Sequence, residues 1–349
     1  MPVHRKHGQH RPRRNAIGLL LSLLLATGCS GKSLDGELPR IAAAQPAESP
    51  QLSQAPAGVV RPLDGAPQTA IFDGHTSQLV MVAPGPTPTA SSRLTLLGSQ
   101  QTSQRVVDLP GPATALAGDD NGTAYLSSRG SYFVVDLSAG RVRRESVRDA
   151  DNVDFTAITH RSDGALMLGT ADGTLYTVKP GTTEVARTSV HAHADALAAQ
   201  GNTVAVLDRG QTSLITVGAD GKIGQSLRAG SGATTMTADP AGRLLVADTR
   251  GGQLLVFGVD PLILRQAYPV PESPYGVAGS GGLAWVSQTA ANIVIGYDLS
   301  TGTPLEKVRY PTVRQPNTLA FDDVAGTLYV VSGAGGGVQI IEHAATGPR

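Results

Sequence analysis

The sequence contains little cysteine, little tryptophan and no net charge. Its single cysteine among 349 residues, Cys29, leaves no partner for a disulfide within the chain. Aromatic residues make up 4% of the chain with one tryptophan, Trp285, which argues against repeat families in which every unit carries a tryptophan. Lys plus Arg and Asp plus Glu balance at 28 each. This composition lacks the basic surface that binds nucleic acid, and we predict no nucleic-acid partner.

Apolar runs long enough to cross a bilayer are also missing, because spanning helices need about 20 such residues. The longest run, Ala16–Ala26, follows a head that contains five basic and no acidic residues. This order is typical of a secretory signal peptide, and we predict one over residues 1–28. The adjacent Arg13 and Arg14 leave open whether export uses the general or the twin-arginine route.

The end of the signal peptide resembles the bacterial lipobox, since small residues at Ala26, Thr27 and Gly28 directly precede Cys29. The resemblance implies that Cys29 carries a diacylglycerol anchor and begins the mature protein, which places the protein on the extracytoplasmic face of the cell membrane. An ordinary cleavage site is the alternative. Residues 29–57 are rich in Ser, Ala, Gln and Pro, and we predict a flexible tether there. Removing residues 1–29 leaves 23 basic and 28 acidic residues.

The rest of the chain is built from a repeat of about forty residues. A turn residue precedes an apolar strand in each copy, with gaps of 48, 42, 38, 40, 40 and 44 residues between successive turns. These turn residues are Gly74, Gly122, Gly164, Asn202, Gly242, Gly282 and Gly326. A repeat of this length made of strands indicates a radial array. We predict an all-β fold, a seven-bladed β-propeller of four-stranded antiparallel blades, over residues 58–343, with a disordered tail at 344–349.

The last copy has only three strands, and an open ring would leave unpaired strand edges. The segment Gly58–Leu63 precedes the first full copy and contains Pro62, which suits an edge strand. We therefore predict that this segment supplies the missing outer strand of the last blade.

Polar residues recur in the turns that a propeller gathers at the mouth of its channel. Those in turns within blades are Arg129, Asp172, Asp208, Arg209, Asp248, Arg250, Gln288 and Asn292. Those between blades are Asp154, His191, His193, Asp195, Tyr275, Gln315 and Asn317. We predict a ligand-binding site that includes Arg129, Asp172, Asp208, Arg209, Asp248, Arg250, Asn292 and Asn317. Because Asp208 and Asp248 occupy equivalent places next to arginines, an ion-pair ring at the mouth is one interpretation, and separate turn-stabilising residues are the other.

His191, His193 and Asp195 alternate along the chain, so an extended strand would turn all three to one side. Two imidazoles and a carboxylate are a ligand set for zinc or iron, and the spacing predicts a candidate metal site. A solvated loop between blades is the alternative. No Gly-x-Ser-x-Gly motif or second cysteine indicates a nucleophile elsewhere.

The segment Asp239–Phe257 carries an Asp-x-x-Gly turn and a Leu-x-Val-Ala-Asp strand. It resembles the YncE/YVTN, NHL and SMP-30-like propellers, and with the lipobox it is similar to secreted lipoproteins of actinobacterial type. That resemblance implies a binding or scaffold module without a cofactor, with a protein or small molecule at the channel mouth. SMP-30-like members imply the alternative, a metal-dependent lactonase or esterase in which Asp154, Asp248, Asn292 and Asn317 would surround the metal.

Overall fold

In a computed structural model of the chain, residues 40–98, 104–182 and 184–347 are described. They form an all-β propeller of seven four-stranded antiparallel sheets. The predicted signal peptide and the predicted lipidation site Cys29 lie outside the described residues. In chain order the strands are β1 (Val59–Arg61), β2 (Thr69–Asp73), β3 (Gln78–Ala83), β4 (Arg93–Gly98), β5 (Gln104–Asp108), β6 (Leu116–Gly118), β7 (Thr123–Ser128), β8 (Ser131–Asp136), β9 (Arg141–Ser146), β10 (Phe155–His160), β11 (Leu166–Thr170), β12 (Thr174–Val178), β13 (Val185–Ser189), β14 (Ala196–Gln200), β15 (Thr203–Asp208), β16 (Ser213–Val217), β17 (Ile223–Arg228), β18 (Ala233–Asp239), β19 (Arg243–Asp248), β20 (Gln253–Val259), β21 (Leu262–Pro269), β22 (Pro274–Gly279), β23 (Ala284–Gln288), β24 (Ile293–Asp298), β25 (Leu305–Pro311), β26 (Pro316–Asp322), β27 (Thr327–Ser332) and β28 (Val338–Ile341).

Blades 1 to 6 use four consecutive strands each, from β2–β5 to β22–β25, and blade 7 combines β26, β27 and β28 with β1. The first strand of each blade lies at the centre, and each of these inner strands contacts the inner strands of the two neighbouring blades. The outermost strands are mostly exposed, whereas the second and third strands are mostly buried. The ring therefore buries the middle of every blade.

The turns between first and second strands follow the Asp-x-x-Gly pattern in blades 2, 5 and 7. The Asp239 carboxylate accepts a hydrogen bond from the backbone N–H of Ala241 at 2.7 Å, and Gly242 has φ of +82°. Because this left-handed conformation favours glycine, the motif closes the turn without strain. Neighbouring turns also bond to each other, since the N–H of Gly122 donates to Asp73 at 2.9 Å.

The hydrophobic core is divided among the interfaces between adjacent blades. Trp285 of blade 6 is fully buried and stacks on Phe321 of blade 7 with ring centroids 5.6 Å apart. Phe72 of blade 1 stacks in the same way on Tyr329 of blade 7 at 5.6 Å. The few aromatic residues thus join neighbouring blades, as large flat side chains pack well between sheets.

The ring closes through β1, which confirms the predicted outer strand. β1 pairs antiparallel with β28, with Val59 opposite Ile340 and Arg61 opposite Val338. Gly58 precedes β1 with φ of +69°, and a Cβ at this position would lie 2.1 Å from the backbone oxygen of Ile340. Closure therefore needs a glycine at this close approach.

The predicted disordered tail is wrong for residues 344–347. A short 3₁₀ helix, Ala344–Thr346, follows the last strand, and Ala344 is fully buried. The Tyr310 hydroxyl donates to the Ala344 carbonyl at 2.7 Å, and the Ala344 N–H donates to Gly326 at 2.9 Å. These bonds hold the segment against blades 6 and 7. No helix in residues 40–98, 104–182 and 184–347 is long and apolar enough to cross a membrane.

Candidate functional site

A cavity of about 500 Å³ lies on the propeller axis, lined by the inner strands of all seven blades. Threonine, alanine and glycine make up much of its wall, including Thr235, Thr237 and Thr318. Hydroxyl groups and exposed backbone in such a wall offer hydrogen bonds to a small polar molecule. Its charged lining residues, Asp195 and Arg209, belong to blade 4.

Asp195 and Arg209 meet at one end of this cavity, on the face we call the top face. This face carries the turns between second and third strands and the connections from one blade to the next. The backbone N–H of Arg209 donates to Asp195 Oδ2 at 2.8 Å, and His193 Nδ1 lies 3.1 Å from Asp195 Oδ1. Arg209 Nη2 donates to the Ala44 carbonyl at 3.0 Å. The Asp195 carboxylate is thus fixed by the backbone of Arg209, and the Arg209 guanidinium by the backbone of Ala44, at the mouth of the cavity.

Tyr275 and Asn317 also line the axial cavity, from blades 6 and 7. The side chain of Gln315 donates to Asn317 Oδ1 at 3.1 Å and orients that amide. Of the eight predicted ligand-binding residues, the structure places Arg209 and Asn317 on the cavity wall. His160 lines it as well, stacked on Tyr125 with ring centroids 5.3 Å apart. The sequence places His160 beside a turn and did not indicate that this side chain lines the cavity.

Asp208 does not face the cavity, because its carboxylate is buried in its own turn. The side chain is 1% exposed and accepts the backbone N–H groups of His193 at 2.7 Å and Gln211 at 2.8 Å. The guanidinium of Arg40 donates to both of its carboxylate oxygens, at 2.7 and 2.9 Å. Asp208 therefore binds a distant segment of the chain.

Asp248, at the equivalent place in blade 5, has a purely structural set of partners. It accepts backbone N–H groups from Ser231, Gly232 and Gly251 at 2.9, 2.7 and 2.9 Å. Arg250 donates instead to the carbonyls of Ser231 and Ala42. The ion-pair ring is therefore wrong: both aspartates fix backbone N–H groups, Asp208 pairs with the distant Arg40, and the adjacent Arg209 and Arg250 bind carbonyls.

Arg129 and Asp172 lie in exposed turns of blades 2 and 3. Arg129 pairs with Asp154 at 3.2 Å, with 57% and 71% of the two side chains exposed, so water screens the pair. Asp172 accepts the Thr170 hydroxyl and the Thr174 N–H, and the hydroxyl bond holds the pKa of its carboxyl below the usual range. Asp172 therefore stabilises its turn and Arg129 is exposed to solvent, and neither residue lines the axial cavity.

The predicted metal site is wrong. His191 is exposed with φ of +51°, so the chain is not extended there and its ring does not join the contact between His193 and Asp195. Among residues 40–98, 104–182 and 184–347, no three His, Cys, Asp or Glu side chains are arranged to hold a metal ion. In the lactonase-like set, the Asp248 carboxylate binds backbone N–H groups and Asn292 Nδ2 donates to the Pro50 carbonyl at 3.0 Å, and neither residue lines the axial cavity.

Residues 40–57, which we call the strap, are the feature that the sequence did not predict. Although we expected a flexible tether, they lie along the top face from blade 4 to blade 7, between Arg40 at Asp208 and Ala57 at Pro311. Ala44 is 6% exposed and Ser49 is 3% exposed. The composition correctly indicated few apolar side chains to bury. It did not indicate that side chains of the propeller donate hydrogen bonds to the backbone of the strap.

Comparison with known proteins supports the fold and does not identify a family. No protein-family model matches the chain, and no curated protein matches its sequence. A streptogramin B lyase structure is 12% identical with a TM-score of 0.64, covering 82% of this chain and 96% of that chain. Hydrazine synthase from Kuenenia stuttgartiensis is 13% identical with a TM-score of 0.64, covering 84% and 100%. The Cps50 (Swd1) propeller domain from Myceliophteria thermophila is 13% identical at 0.64, covering 81% and 99%. At these identities the likeness shows the seven-bladed propeller alone, on which proteins of different functions are built.

Proposed function

We propose that this protein is a lipid-anchored binding module of the extracytoplasmic membrane face, and that a small polar ligand occupies its axial cavity. The observation that carries the binding role is that Arg209 and Asp195, joined by a backbone hydrogen bond, both lie at the mouth of a cavity whose wall includes hydroxyl and amide groups. An anionic group of the ligand contacts the guanidinium of Arg209, and its other polar groups contact Thr235, Tyr275 and Asn317.

The support for anchoring comes from the sequence that ends at Cys29, which resembles the lipobox of secreted bacterial lipoproteins, including those of actinobacterial type. The strap makes the tether shorter than the sequence predicted, because the chain is already bound to the propeller at Arg40. Under this proposal, the connection from Cys29 to Arg40 has a fully extended length of about 40 Å at most. A diacylglycerol anchor supplies two acyl chains, so membrane association needs no basic surface on the propeller.

The anchoring is tested by expressing the full chain and its Cys29→Ala variant in a bacterium with a lipoprotein pathway. We expect the natural chain in the detergent-soluble membrane fraction with incorporated palmitate, and the variant in the soluble fraction without it. A Ser30→Ala variant is the matched control and stays in the membrane. Equal fractionation of all three chains contradicts the anchoring proposal.

The binding role is tested by thermal-shift measurements against a panel of amino acids, small dicarboxylates and monosaccharides. A ligand of the cavity raises the melting temperature of the natural protein, and an Asn317→Ala variant binds it at least tenfold more weakly. An Asp172→Asn variant, changed in an exposed turn away from the cavity, binds it unchanged. If every compound that binds does so equally to the Asn317 variant, the cavity is not the site.

A further inference from the structure

The surface beneath the strap is a groove on the top face of blades 4 to 7, formed by residues of successive turns. Its contacts reach mainly the backbone of the strap and not its side chains. Arg209 and Arg250 donate to the carbonyls of Ala44 and Ala42 at 3.0 and 2.6 Å. Arg314 donates to the carbonyls of Ser49 and Pro50 at 2.9 and 3.1 Å.

Gln315 contacts the strap in the manner of a neighbouring strand, because one amide side chain satisfies both a donor and an acceptor. Its Oε1 accepts the Ser49 N–H at 3.0 Å, and its Nε2 donates to the Ala47 carbonyl at 3.0 Å. Ser273 accepts the Ala47 N–H at 2.9 Å. Bonds to main-chain groups of an extended segment recognise the peptide backbone, as in other peptide-binding grooves.

Two side chains of the strap give this contact a sequence requirement. Arg40 donates in bidentate fashion to the buried Asp208. The Ser49 hydroxyl donates to the Thr289 carbonyl at 2.7 Å and accepts the Gln315 N–H at 2.8 Å. Between them Ala44 packs beside Gly232, where the two Cβ positions would be only 3.1 Å apart. The groove therefore selects an arginine, a small residue and a serine at fixed spacing.

The groove is organised by bonds within the propeller that do not involve the strap. His193 and Gln211 hold the Asp208 carboxylate through their N–H groups, and Asn317 holds the side chain of Gln315. If the strap left, Asp208 would lose its cation while its oxygens stayed aimed at the same place. A fixed carboxylate in a recess is a strong site for another guanidinium.

We propose that this groove is a binding site for extended peptides that carry an arginine nine residues before a serine, and that residues 40–49 are its intramolecular ligand. The strap gains from being linked to the propeller, because attachment gives it a high effective concentration in the groove. A peptide in trans binds when the strap is weakened or outcompeted. This site adjoins the axial cavity at Arg209, which contributes to both, and it does not depend on lipid at Cys29.

The test uses a labelled synthetic peptide with the sequence of residues 39–51 and fluorescence anisotropy. The protein is the mature chain with Arg40→Ala and Ser49→Ala together, which weakens the strap and leaves the groove intact. We expect saturable binding to this variant and at least tenfold weaker binding to the natural protein. If the double variant does not fold, Ser49→Ala alone replaces it.

Three controls make the result specific. A peptide with alanine in place of its arginine binds at least tenfold more weakly, because it cannot pair with Asp208. Adding Arg314→Ala to the protein weakens binding as well, since its side chain donates to the Ser49 and Pro50 carbonyls of the strap. The matched change Arg129→Ala, in a top-face turn that the strap does not reach, has no effect. Absence of saturable binding to the strap variant, or equal binding of the peptide without arginine, overturns the proposal.

Discussion

Arg40 and Asp208 are 168 residues apart in sequence and form a two-pronged ion pair, with Nη1 to Oδ2 at 2.7 Å and Nη2 to Oδ1 at 2.9 Å. The carboxylate is 1% exposed and the guanidinium 27% exposed, so water screens this pair less than the surface pairs of the propeller. The pair fixes one end of the strap at blade 4, and the bond from Ala57 to Pro311 fixes the other end at blade 6.

We predict that Arg40→Ala lowers the free energy of unfolding by about 2 kcal/mol, the range of a hydrogen bond to a charged group. The loss arises because Asp208 keeps its backbone partners but loses its cation. Urea denaturation of the mature protein measures the effect. Arg93→Ala is the control, because its pair with Asp108 has side chains 53% and 82% exposed and contributes little. Equal effects of the two changes contradict the assignment.

Closure of the ring predicts a large difference between two glycine substitutions. Gly58→Ala forces a Cβ to within 2.1 Å of the Ile340 oxygen, so β1 shifts away from β28. Gly302 also has positive φ, at +80°, but nothing lies within 4 Å of its Cβ position. We expect Gly302→Ala to cost about 1 kcal/mol from backbone strain alone and Gly58→Ala to cost clearly more. Thermal denaturation compares them, and similar melting temperatures would place the closure elsewhere.

Trp285, the only tryptophan, reports on the interface between blades 6 and 7. Its indole is fully buried against Phe321, and its Nε1 lies 3.3 Å from the Ser280 hydroxyl. We predict blue-shifted fluorescence in the folded protein and a red shift on unfolding at the same denaturant concentration as the loss of strand signal in circular dichroism. Trp285→Ala should lower the free energy of unfolding by about 3–5 kcal/mol. Emission typical of exposed indole in the native state contradicts this packing.

From the burial of two tyrosines we predict that the free energy of unfolding falls at alkaline pH. Burial raises the pKa of Tyr297 and of Tyr329 to about 12, above the ordinary value near 10. Their contribution is therefore complete below pH 10 and declines as pH rises from 10 through 12, because the unfolded chain releases these protons first. The expected slope is roughly 1.4 kcal/mol per pH unit for each group within that interval. Replacing both by phenylalanine should flatten the stability profile between pH 10 and 12, and an unchanged slope would show that other groups cause it.

The sequence predicted the fold because its determinants are local. Each Asp-x-x-Gly turn contains its own acceptor and its own left-handed glycine, as at Asp239 and Gly242. Each pair of apolar strands follows within a few residues, so the blade and its repeat are visible without tertiary information. Even the closing strand was predictable, since one blade lacked a strand and one segment near the start of the propeller had none to pair with.

The site was only partly predictable because its partners are distant. Arg209 and Asn317 were recognised as residues of the channel mouth, which follows from their places in the repeat. The pairing of Asp208 with Arg40 was missed, because an aspartate at the end of a second strand looks the same whether it binds backbone, as Asp248 does, or a remote arginine. The strap has no apolar periodicity, and its stability comes from side chains more than 150 residues away.

The most direct test of the account is amide hydrogen exchange along the strap in the mature protein. The N–H groups of Ile41, Ala47 and Ser49 donate to Gly210, Ser273 and Gln315, and we predict that they exchange at least tenfold more slowly than in an unstructured peptide. Arg40→Ala should speed all three, while amides in the β22–β23 sheet stay protected. Exchange of these three amides at the unstructured rate in the natural protein would mean that residues 40–57 are a free tether and that the groove is not occupied.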